Sequence, residues 1–593
     1  MSAALSLRGG TALACTGLAA AACVPMFGNA YATTFVFTIL IAYILAQSWD
    51  WIAGEMGYVN LGHYCFYGIG AYAFSIALVA KYPVLLALLF CVAFTAIVAM
   101  LLSFPLFRLK GDYFAFATLA LLPLAEILAY NLSDITKGGD GISLPPQSVL
   151  SIAYWGALGV CVVAAYLTVW LNRQHFGYAL KSIRNDEEVA EVMGIRIFPV
   201  KLRVTVLSAS FAALAGALQS WQLSYVDPPT VFGLNVALVP VAMALLGGSG
   251  LLWGPIIGVL LLACMQQWLL INLKTLQTTI YGAVILLIGR FMPGGILRAP
   301  WIRRLPWLHA LTREHHERID SSTTHAAVQG HLPLPKRSIH REHPVLQCQG
   351  LTMAFGGNIA VNQIDLRLMQ GEIIGLIGAN GSGKTTLFNC ISKVYEPRSG
   401  SLSLDGTSLI GLRRDEVAHL GVGRTYQIPR PFGDLTVQEN IAIPLMFKHQ
   451  GLAPREALAR AREFIAYVDL EPHLTERADS LSLQQKKALE FARALASEPK
   501  LLLVDEVASG LTPIEINRFV RHIRHVRDEF GITVIWVEHI FSALAQVVDR
   551  VIVLEQGQCI ADGSLQSVIA DERVLRTYLG SAAQLPNAGS THA

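Results

Sequence analysis

The sequence has 593 residues, of which 53% are hydrophobic and only 15% are charged, and its mean hydropathy is +0.48. A soluble protein carries about a quarter charged residues, so this composition excludes a wholly soluble chain. The net charge of +3 is close to neutral and no basic patch alternates with aromatic residues, which argues against a nucleic-acid partner. Apolar residues are concentrated in 1–300, whereas 345–580 have the composition of an ordinary soluble domain.

The first 300 residues predict a polytopic all-α transmembrane domain. A membrane-spanning helix needs about 20 mostly apolar residues, because unpaired backbone groups are costly in lipid. The stretch YVNLGHYCFYGIGAYAFSIAL, rich in glycine and aromatic residues, also fits a broken or re-entrant helix. Candidate spans lie near residues 11–28, 31–49, 59–80, 84–107, 113–131, 152–172, 203–224, 231–248, 251–272 and 277–293, which predicts about eight to ten spans.

The N-terminal apolar run has two interpretations. Arg8, the apolar residues after it and the sequence GNAYA fit a cleaved signal peptide. A second apolar run follows almost at once, which favours a first membrane helix that is retained.

Lysine and arginine collect in three stretches that predict the orientation of the spans. These stretches are FRLKGD, the segment 172–203, and LRAPWIRRLP after the last span. The candidate spans place even numbers of crossings between them, so all three fall on the cytoplasmic side together with the N-terminus. We therefore expect a multi-pass membrane protein whose soluble domain is cytoplasmic.

Segment 172–203 is too long for a simple turn. Within it, DEEVAEVMGI has helix formers flanked by charge and reaches Gly194, a residue type that commonly ends helices. A solvated charged loop and a short helix that docks on a cytoplasmic domain both fit these residues. Within the spans, Glu126 and Asp227 are candidate functional groups, because ionisable side chains at membrane depth are costly. Either residue could instead lie at the membrane interface.

Residues 301–344 mix Arg, His, Pro and Ser without apolar periodicity, which predicts a cytoplasmic linker. The sequence REHHERID within it contains adjacent histidines, but no second ligand cluster follows at metal-site spacing. A solvated linker is therefore favoured over a metal site.

The segment GEIIGLIGANGSGKTTLFNCI contains the P-loop pattern of a glycine, four residues, and then Gly-Lys-Thr. An apolar run typical of a buried strand precedes the pattern and a helical run follows it, which is the context a P-loop needs. Backbone N–H groups and the helix N-terminus then face phosphate oxygens. Lys384 is expected to reach the β- and γ-phosphates, and the Thr385 hydroxyl to bind Mg²⁺. The predicted nucleotide-binding residues are Gly378, Asn380, Gly381, Ser382, Gly383, Lys384, Thr385 and Thr386.

Two later apolar runs end in polar side chains. LLLVDE ends in Asp505 and Glu506, and ITVIWVEHI ends in Glu538 and His539. Buried parallel strands deliver such side chains to the edge of the sheet where phosphates bind. Asp505 is the expected Mg²⁺ ligand, and Glu506 is expected to orient and deprotonate the attacking water. His539 is expected to contact the γ-phosphate.

Together these motifs resemble an ATP-binding cassette. The P-loop, RTYQ, LSLQQ, LLLVDE, SGLTP and the histidine of VEHI follow one another in the family's order across 345–582. The resemblance implies an α/β P-loop domain that hydrolyses ATP with Mg²⁺. Beyond this domain we expect a disordered tail at 583–593. The resemblance also implies that Phe355 stacks on adenine and that residues 509–512 lie between paired cassettes. Gln427 would sense the γ-phosphate, join the Mg²⁺ ligands and touch the membrane domain.

More narrowly, the chain is similar to transporters for high-affinity uptake of branched-chain amino acids. LTMAFGGNIAVNQIDL, GVGRTYQIPRPFGDLTVQENI and IADGSLQSVIADERVLRTYLG resemble their ATPases. GYVNLGHYCFYGIGAYAF, RLKGDYFAFATLAL and ALLGGSGLLWGPIIG resemble their permeases. The chain thus resembles a permease fused to its ATP-binding protein in a bacterial inner membrane. By this resemblance IRNDEEVAEVMGI would be the coupling helix, which favours the docking interpretation.

The resemblance also implies partners. An external, periplasmic substrate-binding protein would deliver the amino acid, and a second permease and a second ATPase, or a second copy of this chain, would complete the assembly. Uptake of urea, short-chain amides or small aromatic acids by the same machinery stays open as an alternative. An exporter or an ATP-gated regulator is less favoured, because exporter halves generally have fewer and longer helices.

The signature LSLQQ departs from the family's pattern. Leu483 and Gln484 stand where family members usually carry at least one glycine, and a side chain there limits how closely the backbone approaches a phosphate. Ser482 keeps the hydroxyl that would bond the γ-phosphate held by a partner cassette. The sequence therefore predicts an asymmetric pair, with an intact site at this chain's P-loop and a weaker site at its signature.

Overall fold

The computed structural model describes residues 16–145, 149–273, 276–292, 294–299, 332–339, 342–448 and 452–574. These residues form two compact units. The first unit is drawn from Met1–Arg184 and Ile197–Arg318, and the second from Asn185–Arg196 and Ile319–Ala593. The first fifteen residues, the paired histidines of REHHERID and the predicted tail at 583–593 lie outside the described residues.

The first unit is helical. A π-helical turn, Trp51–Glu55, extends its second helix, and short 3-10 turns lie at Gly138–Asp140 and Ile296–Arg298. Two short strands, β1 (Ile142–Ser143) and β2 (Tyr225–Val226), pair antiparallel. The helices are α1 (Thr16–Phe27), α2 (Ala30–Asp50), α3 (His63–Val79), α4 (Val84–Leu106), α5 (Asp112–Leu119), α6 (Leu121–Asn131), α7 (Ser133–Thr136), α8 (Leu150–Asn172), α9 (His175–Asn185), α11 (Ile197–Leu223), α12 (Pro228–Phe232), α13 (Leu234–Gly247), α14 (Gly254–Asn272) and α15 (Gln277–Phe291). Helix α10 (Glu187–Val192) belongs to the second unit.

Within the described residues, seven helical segments are long and apolar enough to cross a membrane. The other three predicted spans coincide with the shorter helices α1, α3 and α15. Helix α3 begins at His63, and just ahead of it a Cβ on Gly62 would lie 2.0 Å from the carbonyl oxygen of Thr118. The polytopic all-α domain is confirmed, and seven of the ten candidate spans are helices of spanning length within the described residues. The seven are Ala30–Glu55, Val84–Leu106, Asp112–Asn131, Leu150–Asn172, Ile197–Leu223, Pro228–Gly247 and Gly254–Asn272.

Helix α2 is central to the first unit, since it contacts α8, α11, α13 and α14. Nearly every residue from Leu40 to Asp50 is buried. The carboxylate of Asp50 accepts hydrogen bonds from Ser249 Oγ (2.7 Å) and Gly250 N (2.9 Å). Because a buried carboxylate is costly without donors, this contact fixes the turn between α13 and α14 against the end of α2.

The two ionisable residues singled out within the spans are both partly exposed. Glu126 lies on α6, and Asp227 follows β2 and accepts a hydrogen bond from the Thr230 hydroxyl. A functional role for either residue stays a prediction.

The second unit is an α/β domain. Its strands are β3 (Pro344–Phe355), β4 (Asn358–Met369), β5 (Ile373–Gly378), β6 (Ser399–Leu404), β7 (Thr407–Ser408), β8 (Val422–Arg424), β9 (Leu501–Asp505), β10 (Thr533–Val537), β11 (Arg550–Glu555) and β12 (Gln558–Gly563). Its helices are α10 (Glu187–Val192), α16 (Lys384–Ile391), α17 (Arg414–Leu420), α18 (Val437–Lys448), α19 (Pro454–Tyr467), α20 (Leu483–Ala496), α21 (Pro513–Phe530), α22 (Phe541–Leu544) and α23 (Leu565–Ala570), with 3-10 turns at Glu471–His473 and Ala478–Ser480.

Six strands form the main sheet in the order β12-β11-β5-β10-β9-β8. All neighbours in it are parallel except β12, which pairs antiparallel with β11. β5, β9 and β10 are buried along their whole length, and their carboxyl ends meet at one edge of the sheet. A second, antiparallel sheet has the order β4-β3-β6-β7, and apolar residues of both sheets and of α16 share one core. The predicted α/β P-loop fold is confirmed.

The end of the predicted linker packs on the second unit. Leu332 and Leu334 are buried. The Arg337 guanidinium donates to Pro499 O (2.6 Å) and Glu498 O (3.1 Å), just beyond the C-terminus of α20, where a cation is favoured. No apolar periodicity marks these residues, so the sequence pattern did not predict this packing.

Candidate nucleotide site

The predicted P-loop is the turn between buried strand β5, which ends at Gly378, and helix α16, which begins at Lys384. Gly381 and Gly383 have φ angles of +82° and +103°, in the left-handed region that favours glycine. A Cβ on Gly383 would lie 2.3 Å from Ala360 O, whereas the space beside Gly381 is open. Both glycines therefore allow a backbone conformation that other residues rarely adopt, and Gly383 also allows close packing against Ala360.

Lys384 lies beneath this loop. Its Nζ donates to Gly378 O (2.7 Å) and Ala379 O (3.0 Å). Burial lowers the pKa of Lys384, and the carboxylates of Glu506 and Asp505 oppose that change. A cation held among carbonyls in this way shapes the loop and is positioned to exchange those contacts for phosphate oxygens.

The remaining predicted phosphate ligands surround the start of α16. Ser382 is buried, and its hydroxyl has no hydrogen-bond partner among the described residues. Thr385 and Asn380 are exposed and Thr386 is half-buried. The N–H groups of a helix's first turn have no acceptor within the helix, so they and the Ser382 hydroxyl are donors that fit a phosphate chain.

Asp505 ends β9 at the same edge of the sheet. It is 2% exposed, and its Oδ1 has no partner in the part of the chain that the structure describes. Its Oδ2 lies 3.8 Å from Nη2 of Arg424. Burial raises the pKa of Asp505 to about 6, and Arg424 opposes that rise. With the Thr385 hydroxyl, this carboxylate supplies the hard oxygen ligands that Mg²⁺ prefers, so the residues present fit the metal.

Three predicted catalytic residues, Gln427, Glu506 and His539, meet at the ends of neighbouring strands. Nε2 of Gln427 donates to Oε2 of Glu506 (2.6 Å), and Nε2 of His539 lies 3.0 Å from Oε1 of Glu506. Glu506 has a positive φ of 43°, and its N–H donates to Val537 O (2.9 Å). The structure thus brings together a group that we call the catalytic trio, whose individual roles stay predictions.

Phe355, the predicted adenine contact, ends β3 and is 44% exposed. Its ring packs edge-on against Tyr395, with centroids 5.1 Å apart. The N–H of Tyr395 donates to Asn389 O of α16 (3.0 Å), which ties the aromatic pair to the P-loop helix. The accessible ring of Phe355 is available for stacking, and sequence reasoning missed Tyr395 because no motif marks it.

Ser482 is the N-cap of α20, which we call the signature helix. Its Oγ accepts from Gln485 N (3.3 Å), and its own N–H donates to Gln485 Oε1 (2.8 Å). This reciprocal pair stabilises the start of the helix. Leu483 is 58% exposed and Gln484 is also exposed, so both departures from glycine lie on the surface. Contact between Ser482 and a partner's nucleotide stays a prediction.

Sequence reasoning missed a buried carboxylate on the signature helix, Glu490. Its oxygens accept from Tyr426 N (3.1 Å) and Arg430 N (2.8 Å). Arg493 donates to Arg430 O (3.0 Å) and lies 3.4 Å from Glu490. These contacts hold residues 426–430, the sensor loop, against the signature helix. Glu490 and Arg493 are three positions apart, a spacing at which oppositely charged residues usually pair on an exposed helix face. In the sequence, only the apolar residues around them indicated that this pair is buried.

Two more charged residues fix the turn that follows Glu506, and sequence reasoning gave them no such role. Lys487 Nζ, on the signature helix, donates to Val507 O (2.9 Å). Glu538 Oε1 accepts from Ala508 N (2.6 Å). This turn leads into residues 509–512, the loop that the resemblance places between paired cassettes.

Asn185–Arg196 belong to the second unit, and we call them the docking segment. Helix α10 within it begins after Asp186, whose side chain accepts from Val189 N, and it ends at Val192. Gly194 then has a φ of +90°, as the predicted helix stop requires. A Cβ on Gly194 would lie 3.0 Å from the ring of His419, so this glycine also permits close packing.

Ion pairs hold the docking segment in place. Arg430 Nη2 lies 2.9 Å from Asp186 Oδ2, and its Nη1 lies 3.3 Å from Glu188 Oε2. Arg414 Nη1 lies 2.9 Å from Glu191 Oε2. The docking interpretation is therefore confirmed, and the solvated loop is wrong. One end of the sensor loop contacts the docking segment, and Gln427 in the same loop contacts Glu506.

Comparisons with known proteins match both units. A family model described as the permease component of a branched-chain amino acid transport system matches residues 31–289, and an ABC transporter model matches residues 361–509. The high-affinity branched-chain amino acid transport ATP-binding protein BraF of Pseudomonas aeruginosa is 34% identical over 252 residues, which are 40% of this chain and 99% of that protein. LivG of Escherichia coli, with the same description, is 36% identical over 255 residues, again 40% and 99%. A solved nucleotide-free ATP-binding cassette from an ABC transporter covers 40% of this chain and 98% of its own, with 26% identity and a TM-score of 0.37.

The fold and the nucleotide site are those of a multi-pass membrane protein with an ABC ATPase domain. The chain belongs to the ABC transporter family. In it, a permease domain of the branched-chain amino acid transport type is fused to an ATP-binding cassette that is related to BraF and LivG.

Replacing Arg430 with Ala is expected to weaken the link between hydrolysis and transport. The change removes both carboxylate contacts to the docking segment, while the backbone at this position keeps its bonds to Glu490 and Arg493. Exposed ion pairs contribute about 0.2–1 kcal/mol each, so ATP-driven transport by the assembled transporter should fall about 3- to 10-fold. The basal ATPase rate should stay within about twofold of the wild type, since Gln427 keeps its position.

The matched control is Arg518→Ala, which breaks an exposed pair with Asp469 (3.0 Å) away from the docking segment. That variant should transport like the wild type. Transport and hydrolysis that fall by the same factor in Arg430→Ala, or transport that does not fall, would contradict the expectation.

Proposed function

We propose that this chain is the fused permease and ATPase of a binding-protein-dependent importer, in which ATP hydrolysis drives uptake of branched-chain amino acids. The observation that carries the proposal is the sensor loop, which joins Glu506 through Gln427 and the docking segment through Arg430. The docking segment lies between two membrane-domain helices in the sequence. A movement at the nucleotide site therefore reaches chain that continues into the membrane domain on both sides. The family description and the relatives' names support the substrate class.

In the proposed reaction, Glu506 orients and deprotonates the water that attacks the γ-phosphate. His539 contacts the γ-phosphate and keeps the Glu506 carboxylate oriented through their hydrogen bond. Gln427 holds the other carboxylate oxygen and senses the γ-phosphate. Mg²⁺ would be held by Thr385, Asp505 and Gln427, and the nucleotide by Phe355, Gly378, Asn380, Gly381, Ser382, Gly383, Lys384, Thr385 and Thr386.

We place the protein in a bacterial inner membrane with the cassette in the cytoplasm. The basic loop 172–203 is expected on the cytoplasmic side, and the packing of its docking segment on the cassette supports that side for both. A periplasmic binding protein, a second permease and a second ATPase, or a second copy of this chain, complete the proposed assembly.

Proteoliposomes that contain the assembled transporter, supplied with the proposed periplasmic binding protein, should take up leucine only when ATP is present. The leucine-loaded binding protein should raise the ATPase rate, because an importer hydrolyses ATP faster when substrate is delivered to it. ADP in place of ATP is the control. ATPase stimulation by lipophilic compounds alone, without any response to the binding protein, would contradict import.

We further propose that, where the partner is a different second ATPase, the two ATP sites of the assembly are unequal. The P-loop and the catalytic trio of this chain have the residues that hydrolysis needs, and they would work against a glycine-containing signature from a partner. At this chain's own signature, Ser482 and the helix N-terminus remain. The exposed side chains of Leu483 and Gln484 hold the backbone away from a facing phosphate.

Two substitutions test this inequality in the assembled transporter. Glu506→Gln should remove at least about 90% of ATP hydrolysis, since loss of a general base commonly costs 10²–10⁴-fold at its site. Gln484→Gly should leave the rate unchanged or raise it, and the exposed Glu471→Gln is the neutral control. Retention of most hydrolysis in Glu506→Gln would refute the asymmetry.

A further inference from the structure

Helix α2 carries two polar side chains that are buried without hydrogen-bond partners. Tyr43 is 9% exposed and Gln47 is 0% exposed. The Tyr43 hydroxyl and both polar atoms of the Gln47 amide have no partner among the residues that the structure describes. The two residues are four positions apart, so they lie on one face of the helix.

This arrangement is unfavourable for the fold alone. A buried amide without partners is destabilising, and the penalty is greater in a membrane span, where water is absent. A small hydroxyl can avoid the penalty by bonding within its own helix, as Ser103 Oγ does with Ala99 O (2.7 Å). Within the part of the chain that the structure describes, the Gln47 amide leaves both its donor and its acceptor unused. An apolar side chain of similar volume would pack at this position without that cost.

The pair lies inside the membrane domain. Gln47 is eight residues from the end of the span Ala30–Glu55, about 12 Å along the helix axis. The span closes with the π-helical turn Trp51–Glu55, and such turns occur often at functional sites.

Polar contacts continue beside the pair. On the next residue of α2, the Ser48 hydroxyl lies 2.9 Å from Nε2 of His63. Ser208 of α11 donates to Ser48 O (2.6 Å). The polar groups of Ser48, His63 and Ser208 thus have hydrogen-bond partners in the protein. Those of Tyr43 and Gln47 have none among the described residues.

The charges around the pair select the kind of solute. Phenol and amide are neutral, and each can both donate and accept. Asp50 lies three residues beyond Gln47, and its carboxylate already accepts from Ser249 and Gly250. A net anion would be repelled by that carboxylate. A net-neutral solute with N–H donors and oxygen acceptors satisfies both side chains.

We propose that Tyr43 and Gln47 are polar contacts of the transported solute inside the membrane domain. The solute is net neutral and carries both N–H donors and oxygen acceptors, as a zwitterionic amino acid does. This inference rests on the proposed import function and narrows its substrate class, because it excludes small aromatic acid anions. Since Gln47 is fully buried here, the solute reaches it when the helices around α2 separate during transport.

The test uses the assembled transporter in proteoliposomes with its binding protein and radiolabelled leucine. Gln47→Leu and Tyr43→Phe remove the polar groups with little change in shape. The matched control is Thr95→Val on α4, which removes another fully buried hydroxyl that has no partner among the described residues. Thermal unfolding and ATP binding of each variant show whether it has folded.

Uptake at saturating leucine-loaded binding protein should fall about 5- to 10-fold in Gln47→Leu and Tyr43→Phe, the effect of losing one or two hydrogen bonds. Thr95→Val should transport like the wild type, and the thermal stability of Gln47→Leu should be equal or higher. Wild-type uptake in Gln47→Leu, or an equal loss in Thr95→Val, overturns the proposal.

A separate outcome concerns the import function itself. If the wild type takes up no leucine, the amino acid assignment fails, and the same variants are assayed with urea and with benzoate. Urea uptake that is reduced in Gln47→Leu sustains the neutral-solute site. Uptake of benzoate, or of none of the three solutes, overturns it.

Discussion

The carboxylate of Glu490 is the contact on which the chemistry of the second unit depends. It accepts the N–H groups of Tyr426 and Arg430, and Arg493 closes the same loop at the carbonyl of Arg430. Glu490 and Arg493 are buried, with 2% and 1% of their surface exposed. Removal of one member of such a buried pair typically costs about 3–5 kcal/mol. The sensor loop is therefore held to the signature helix at both of its ends.

The attachment of the sensor loop to the signature helix links two roles of that loop, contact with Glu506 and contact with the docking segment. Gln427, inside the sensor loop, holds the carboxylate of Glu506 at the edge of the main sheet. Arg430, at the end of the loop, holds two carboxylates of the docking segment. A shift of the signature helix relative to the sheet therefore acts on both contacts together. The loop gives a physical route by which events at the nucleotide site reach the chain between the membrane helices.

The parts of this site differ in how far the sequence could predict them. The P-loop around Lys384 is local, because its strand, glycines and helix are consecutive in the chain. Glu506 and His539 are distant in sequence, but they were predicted because parallel strands bring their ends to one edge. Gln427 required the family resemblance. Glu490 and the buried end of the linker were missed, since their burial depends on long-range packing that helix periodicity does not report.

The central claim is that Glu490 holds the sensor loop and, through it, the docking segment. Hydrogen–deuterium exchange of the full-length protein in detergent tests it most directly when the wild type is compared with Glu490→Gln, which keeps the shape but replaces an acceptor with a donor. The account predicts faster exchange in peptides covering 426–434 and also in those covering Asn185–Arg196, with the P-loop peptides at 373–391 unchanged. Faster exchange confined to 426–434, or no change in either region, would contradict it.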